Sequence, residues 1–217
     1  MPDPLGDFSL TWPYYAAAVI GYLVGSIPFG LVLTKMAGLG DVRKIGSGNI
    51  GATNVLRTGN KGLALATLLL DGGKGALVVI LANMYLTQDY AVLAGGGAFL
   101  GHLYPIWLKF KGGKGVATFI GVMLALSWPA GLGVALTWLI VALIFRISSL
   151  SALVAAALAP VYIYILQNIS PLDGTYYGDT QRIEFAAMMA ILIFLRHREN
   201  IGRLMKGEEP RIGKKKP

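Results

Sequence analysis

The chain contains 217 residues, of which 55% are hydrophobic and only 14% are charged, and its mean hydropathy is +0.61. An average soluble domain carries about 25% charged residues, so the composition indicates an integral membrane protein instead of one or two soluble domains. Because the chain has no cysteine, a disulfide framework, a thiolate metal site and a cysteine nucleophile are excluded. The net charge of +8 is more typical here of cytoplasmic loops than of nucleic-acid binding, so no nucleic-acid partner is expected.

Seven apolar runs approach the length of about 20 residues that a membrane-spanning helix needs. They cover residues 13–34, 62–84, 91–109, 115–129, 131–146, 148–168 and 184–201. The fourth run is short and begins in a glycine-rich stretch, which suggests a re-entrant or broken helix in part. We therefore expect a single all-α membrane domain over residues 1–217, with about seven transmembrane helices.

The distribution of basic residues predicts the orientation of the chain. All but two of the 19 Lys and Arg residues end or follow the odd-numbered runs, including the Lys214-Lys215-Lys216 tail. The exceptions are Arg182, in the opposite loop near 169–183, and Lys74, inside the second run. Because an excess of Lys and Arg marks cytoplasmic loops, we expect the N-terminus outside the cell and the C-terminus in the cytoplasm.

The first cytoplasmic segment runs from Gly46 to Asn54 as Gly-Ser-Gly-Asn-Ile-Gly-Ala-Thr-Asn and is followed by Arg57. Glycines allow a ligand to approach the backbone closely, and an arginine can donate two hydrogen bonds to one phosphate. A flexible interhelical loop with capping Ser and Asn is an equally good interpretation of this segment alone.

The second segment, Lys109–Thr118, contains Gly112-Gly113-Lys114-Gly115. It lacks the spacing of a nucleotide-binding P-loop, but a glycine turn that runs into a helix and carries a lysine is typical of an anion site. Lys109 and Lys111 are explained as well by anchoring to lipid headgroups. Lys114, between the glycines and the next helix, is the better candidate for function.

The third segment is Arg196-His197-Arg198-Glu199-Asn200, with Arg203 further on. Helical spacing puts His197 and Asn200 on one face, where they suit substrate contact or proton transfer. An interfacial helix whose basic residues reach lipid headgroups is the alternative, and Arg198 and Glu199 fit that role.

Three further titratable residues lie inside predicted spans. Asp71 and Lys74 are three residues apart in the second run, and since a charge near mid-membrane is costly, we favour their pairing with each other. The alternative is that Lys74 adds positive potential beneath the site. For His102, a buried neutral ring and a functional role are equally good interpretations.

The three segments, in this order and on this side, resemble the bacterial acyl-phosphate:glycerol-3-phosphate acyltransferase family, PlsY. The resemblance extends along nearly the whole chain and includes Gly25-Ser26, Gly101-His102 and Pro105, and Gly207 with Glu208. It implies a seven-span enzyme of the bacterial inner membrane that makes 1-acyl-glycerol 3-phosphate and inorganic phosphate from acyl phosphate and glycerol 3-phosphate. It implies neither a cofactor nor a metal.

The resemblance also implies roles for individual residues. Four are expected to be catalytic: Ser47, Lys114, His197 and Asn200. Six are expected to bind substrate: Arg57, Asn49, Thr53, Asn54, Gly112 and Gly113. Backbone N–H groups of the glycine segments would stabilise the developing oxyanion. The proton acceptor is either His197 or a phosphate oxygen of the substrate, and we favour the substrate.

An organic-phosphate transporter or channel is the alternative function. Transporter sites usually lie near the membrane midplane, often between inverted repeats, whereas here the basic segments all lie at one edge and no repeat is visible. An alcohol phosphatidyltransferase would need a cluster of metal-binding aspartates, which the sequence does not contain.

Overall fold

The computed structural model describes residues 7–169 and 177–212. Residues 170–176 of the predicted outer loop near 169–183 and the Lys214–Lys216 tail lie outside these ranges. Within them the chain forms ten α-helices and no strand. The helices are α1 (Phe8–Gly25), α2 (Phe29–Met36), α3 (Ala52–Val55), α4 (Lys61–Tyr85), α5 (Gln88–Leu103), α6 (Val116–Leu126), α7 (Trp128–Phe145), α8 (Ser148–Gln167), α9 (Thr180–Arg196) and α10 (Arg198–Met205). The fold is therefore all-helical over the described part, as predicted.

Five helical stretches in this part are long and apolar enough to cross a membrane: Phe8–Met36, Lys61–Tyr85, Gln88–Leu108, Trp128–Phe145 and Ser148–Gln167. The predicted fourth span is shorter than expected, since α6 has 11 residues and is about 17 Å long at 1.5 Å per residue. Helix α9 has 17 residues. Length and composition thus support several spans, and the count of seven stays a prediction.

The first predicted span is broken into α1 and α2 by Pro28. Proline has no N–H to donate, and it disfavours helical backbone in the residue before it, here Ile27. The carbonyl oxygen of Ile27 instead accepts a hydrogen bond of 2.8 Å from Nζ of Lys74. Helix α2 then packs closely under the first glycine-rich segment, Gly46–Asn54, because a β-carbon on Gly30 would overlap the carbonyl oxygen of Ile50.

Small residues bring the helices of the bundle close together. A β-carbon on Gly25 of α1 would overlap the backbone of Ala98 in α5, and one on Gly101 of α5 would overlap the carbonyl oxygen of Tyr22. Helices that pack in lipid commonly approach through such positions. Helices α4 and α6 meet in the same way at Gly121, where a β-carbon would overlap the backbone of Gly72.

The last predicted span is also broken, because α9 ends at Arg196 and α10 begins at Arg198. After α10 the chain turns at Gly207, whose φ is +72°, and runs back past the start of α8. There the N–H of Ile212 donates to the carbonyl oxygen of Arg146 over 2.6 Å. The end of α9 and the starts of α6 and α8 therefore lie at one end of the bundle.

Candidate active site

A cleft of about 170 Å³ lies at this end of the bundle. Its lining residues come from all three segments singled out in the sequence: Ser47, Gly48, Asn49, Gly112, Lys114, Arg196, Arg198 and Glu199. Segments separated by more than sixty residues thus meet around one small polar space. Three of the lining side chains are cations and one is an acid, so the cleft favours an anion.

The first segment is held in shape by the amide of Asn54, which is only 2% exposed. Its Oδ1 accepts from the N–H of Ser47 over 3.0 Å. Its Nδ2 donates to the carbonyl oxygens of Asn49 at 2.7 Å, Val42 at 2.8 Å and Ile45 at 3.1 Å. We expected Asn54 to bind substrate, but both ends of its amide are used within the loop. Asn54 therefore supports the cleft residues Ser47 and Asn49.

Thr53 and Arg57 lie outside the lining of the cleft. Thr53 is exposed, and its Oγ1 is 3.2 Å from Oγ of Ser148 at the start of α8. Arg57 is exposed and packs against Gly46, where a β-carbon would lie 2.5 Å from Cδ and 2.6 Å from Nη1 of the arginine. The Arg57 guanidinium is thus held beside the residue that precedes Ser47, at the edge of the cleft.

The turn Gly112-Gly113 uses its backbone groups within the protein. The N–H groups of Gly112 and Gly113 donate to the carbonyl oxygens of Leu103 and His102, over 3.2 and 3.0 Å. Those carbonyls belong to the last turn of α5, where a helix leaves oxygens without intrahelical donors. The expectation that these two N–H groups bind the oxyanion is therefore not met, because both already have acceptors.

Arg196 closes the same turn from the other side. Its Nη2 donates to the carbonyl oxygens of Gly112 at 3.0 Å and Gly113 at 3.1 Å, and its Nε to that of Gly113 at 3.2 Å. The guanidinium also lies 5.3 Å from the ring centre of Tyr104. We did not include Arg196 among the predicted site residues, although its place beside His197 was a signal. Arg196 also lines the cleft.

Arg198 and Glu199 also differ from expectation. Both were assigned to the lipid interface from the sequence, and both line the cleft. They stand at the start of α10, directly after the break at His197.

Lys114 begins a chain of hydrogen bonds that runs to the C-terminal segment. Its Nζ donates to Oδ1 of Asn200, and Nδ2 of Asn200 donates to Oε1 of Glu209. Oε1 of Glu209 also accepts from Oγ of Ser149 at 2.7 Å, and Oε2 accepts from Nε of Arg203 at 2.7 Å. Lys114 and Asn200, predicted together, are therefore in direct contact.

Burial lowers the pKa of Lys114 to about 8, although the negative charge of Glu209 opposes the shift. Burial acts to raise the pKa of Glu209, but hydrogen bonds from Asn200, Ser149 and Arg203 outweigh it and lower that pKa. The carboxylate is therefore ionised at neutral pH. The family resemblance includes Gly207 and Glu208 but not Glu209, whose only signal in the sequence is an acid that follows a basic helix.

His197 is only 2% exposed, beyond the end of α9 and outside the lining of the cleft. Its Nδ1 is 2.8 Å from the carbonyl oxygen of Ile193, which makes Nδ1 the donor and leaves the lone pair on Nε2. Burial, together with the charge of Lys114, lowers its pKa to about 4. The ring is therefore neutral at physiological pH and a weak base.

The predicted pairing of Asp71 with Lys74 is confirmed, with 2.7 Å between Oδ1 and Nζ. His102 joins the pair, since its Nδ1 is 3.0 Å from the same Nζ. All three side chains are buried, at 2%, 5% and 4% exposure. They lie directly behind the Gly112-Gly113 turn, because a β-carbon on Gly113 would overlap Nε2 of His102.

Comparison with known proteins identifies the family. Residues 15–207 match the family model described as glycerol-3-phosphate acyltransferase. A relative of that name from Caulobacter vibrioides is 58% identical over 203 residues, which cover 93% of this chain and 88% of the relative. Another, from Paramagnetospirillum magneticum, is 59% identical over 201 residues and covers 93% and 94% of the two chains.

Solved structures agree with this match. The crystal structure of PlsY, an integral membrane glycerol 3-phosphate acyltransferase, in its glycerol 3-phosphate form has a TM-score of 0.82 at 37% identity, over 92% of this chain and 96% of that one. Its lysophosphatidic acid form has a TM-score of 0.80 at 36% identity, over 92% and 95%. The chain therefore belongs to the PlsY family of integral membrane glycerol-3-phosphate acyltransferases.

Proposed function

We propose that the protein transfers an acyl group from acyl phosphate to the sn-1 hydroxyl of glycerol 3-phosphate. The products are 1-acyl-glycerol 3-phosphate and inorganic phosphate. The observation that carries the proposal is the cleft in which Lys114, Arg196 and Arg198 converge at one end of an apolar helical bundle. Both substrates carry phosphate, and the donor also needs hydrocarbon for its chain, so a cationic cleft at a membrane edge suits both.

The described helices fit the topology predicted from the basic residues. Seven crossings would be α1 with α2, α4, α5, α6, α7, α8 and α9, in one domain. The N-terminus would be outside and the C-terminus and cleft cytoplasmic, in the bacterial inner membrane.

This topology can be tested by labelling. Because the chain has no cysteine, single cysteines can be placed at Lys111 and at Gln88 and labelled with a membrane-impermeant maleimide. Labelling of Gln88→Cys, but not Lys111→Cys, from the periplasmic side is expected.

The proposed reaction is a direct transfer. The glycerol hydroxyl oxygen attacks the acyl carbonyl carbon, the bond from that carbon to the phosphate oxygen breaks, and phosphate leaves. Lys114 in the cleft and Arg57 at its edge neutralise phosphate charge, Ser47 and Asn49 supply neutral polar contacts, and Asn200 fixes the Lys114 amine. Among the described residues the backbone N–H of Lys114 has no acceptor, so it replaces the two glycine N–H groups as the candidate oxyanion donor.

The hydroxyl proton goes to a phosphate oxygen of the substrate in this proposal. A phosphomonoester has a second pKa of about 6, two units above the value of about 4 for His197, so the phosphate is the stronger base. The neutral His197 ring then has a positioning role near Lys114. An acyl phosphate also has a good leaving group, so little acid catalysis is needed.

The test uses purified protein in detergent and in lipid vesicles. Phosphate release is expected only when acyl phosphate and glycerol 3-phosphate are both present, and hydrolysis of the product with a positionally specific lipase is expected to place the acyl group at sn-1. Absence of release, together with counterflow of labelled glycerol 3-phosphate in vesicles, would support the transporter instead.

A further inference from the structure

The buried cluster of Asp71, Lys74 and His102 lies outside the cleft, but its contacts lead to both substrate-facing segments. The amine of Lys74 has hydrogen-bonding partners in α4, in the break between α1 and α2, and in α5: Oδ1 of Asp71 at 2.7 Å, the carbonyl oxygen of Ile27 at 2.8 Å and Nδ1 of His102 at 3.0 Å. An ammonium group has three hydrogens to donate, so all of them are used. Lys74 therefore ties the α1–α2 break and α5 to α4.

The first connection leads from the cluster to the Gly112-Gly113 turn. Since the Lys74 amine can only donate, Nδ1 of His102 accepts and the ring hydrogen is on Nε2. The Nε2 edge packs against Gly113, where a side chain would overlap it, and the backbone oxygen of His102 accepts the N–H of Gly113 at 3.0 Å. The turn is thus held between His102 behind it and Arg196 in front, one residue before Lys114.

A second connection fixes the other end of the same segment. The backbone oxygen of Asp71 accepts a hydrogen bond of 2.8 Å from Oγ1 of Thr118, which is fully buried in the first turn of α6. Residues 113 and 118, on either side of Lys114, are therefore both bound to the cluster. Together the two contacts hold the backbone on both sides of Lys114.

A third connection leads to the first segment. Ile27, whose carbonyl Lys74 holds, lies directly before the proline that starts α2. Helix α2 is in turn packed against Ile50, because Gly30 approaches the Ile50 carbonyl too closely to allow a side chain. The segment that carries Ser47 and Asn49 thus rests on the same cluster.

We infer that Asp71, Lys74 and His102 act as positioning residues, which hold the lysine turn and the first segment in register for acyl transfer. None of the three residues is among those that line the cleft, so the cluster acts through the Gly112-Gly113 turn, Thr118 and α2. The expected change in kcat rests on the proposed function. The expected placement of the Lys114 amine does not depend on which reaction the protein catalyses.

The sharpest test is a matched pair of substitutions at His102. Asparagine can place its Oδ1 where Nδ1 accepts from Lys74, and leucine has the same branched shape but no acceptor. For His102→Leu we expect kcat per folded molecule to fall about 10- to 100-fold, the scale of a misplaced catalytic group, with a smaller change in KM. His102→Asn is expected to recover most of this loss.

A second readout does not depend on turnover. Acetylation of lysines by an amine-reactive ester is followed by mass spectrometry, with the exposed Lys111 as internal reference. The ratio of Lys114 to Lys111 labelling is expected to rise several-fold in His102→Leu and to stay near the wild-type ratio in His102→Asn. Val134→Ala, in a buried position of α7, controls for simple loss of stability and is expected to lower Tm without changing kcat or the ratio.

The outcomes separate the two proposals. An inactive wild type would contradict the proposed function, and the labelling ratio would still decide the positioning role. Unchanged kcat per folded molecule and an unchanged ratio in His102→Leu would overturn the positioning role alone. If that variant does not fold, Asp71→Asn with Lys74→Gln replaces it, because this pair keeps polar groups but is too short to reach all three partners. A wild-type ratio in that folded pair would also overturn the inference.

Discussion

The tetrapeptide Gly-Gly-Lys-Gly occurs twice in the chain, at residues 72–75 and 112–115, and the two copies have different roles. The first lies within α4, and its lysine is 5% exposed with all three amine hydrogens donated to the protein. The second lies in the turn before α6, and its lysine lines the cleft and donates, among the residues that the structure describes, to Asn200 alone. Only the second lysine has donors left for a ligand.

The difference comes from what surrounds each copy. Asp71 precedes the first copy by one residue, so a helix places its carboxylate one turn from Lys74, within reach of the amine. The second copy follows a backbone forced through positive φ at Lys109 and Phe110, with values of +51° and +62°. Its glycines therefore form a turn against the end of α5, and Lys114 lies at the cleft. The same four residues hold the fold together in one place and face a ligand in the other.

The largest effect is expected from breaking the first lysine's pair. Lys74→Met leaves the buried Asp71 carboxylate without its ammonium partner, which costs about 3–5 kcal/mol of folding free energy in such cases. Thermal unfolding in detergent measures it. The double variant Asp71→Leu with Lys74→Met is expected to regain most of that stability, because it removes both charges, and equal stability of the single variant and wild type would contradict the account.

At the second lysine, the expected loss is in activity and not in folding. Lys114→Ala removes a charged donor from the cleft, and loss of one such donor at an acyl-transfer site costs about 10²- to 10³-fold in kcat. Phosphate release at saturating substrate measures it, with size-exclusion profiles confirming the fold. Lys111→Ala, an exposed lysine of the same segment, is the matched control and is expected to keep wild-type activity.

A smaller effect is expected at His197, which packs near the second lysine. His197→Ala is expected to leave measurable turnover and to raise the KM for glycerol 3-phosphate by about tenfold, because loss of the buried ring loosens the placement of Lys114. Initial rates over a range of glycerol 3-phosphate give both constants. Complete loss of turnover in a folded variant at saturating substrate would make His197 the proton acceptor.

The smallest effect concerns the charge state of Lys114. With a pKa of about 8, its ammonium form is present below that pH and is lost as pH rises through it, while glycerol 3-phosphate stays a dianion. At pH 8.5 about a quarter of the free protein keeps the charge, so kcat/KM is expected to be about fourfold lower than at pH 7. Lys114→Arg, which stays charged, should show no such decline in its pH profile, whatever its absolute activity.

Much of the site was predictable because the signals are local. Hydropathy and the bias of Lys and Arg indicated a membrane protein with one basic edge, and the three glycine-rich or basic segments do converge on one cleft. The Asp71–Lys74 pair was predictable from helical spacing alone. The family resemblance supplied Lys114 with Asn200, which the structure brings into contact.

The rest depended on which groups meet across the bundle. The sequence contains both glycines of the second segment, but only the fold shows that the end of α5 occupies their N–H groups. Likewise, it contains Asn54, Arg196 and Glu209 without showing that the first is turned into its own loop and the other two toward the site. The sequence by itself determined the chemistry of each residue and its local spacing, which is enough for the Asp71–Lys74 pair. Only the tertiary structure decided the partners that come from other elements, Ile27 and His102 for Lys74 and Asn200 for Lys114, because such partners meet only when the helices pack.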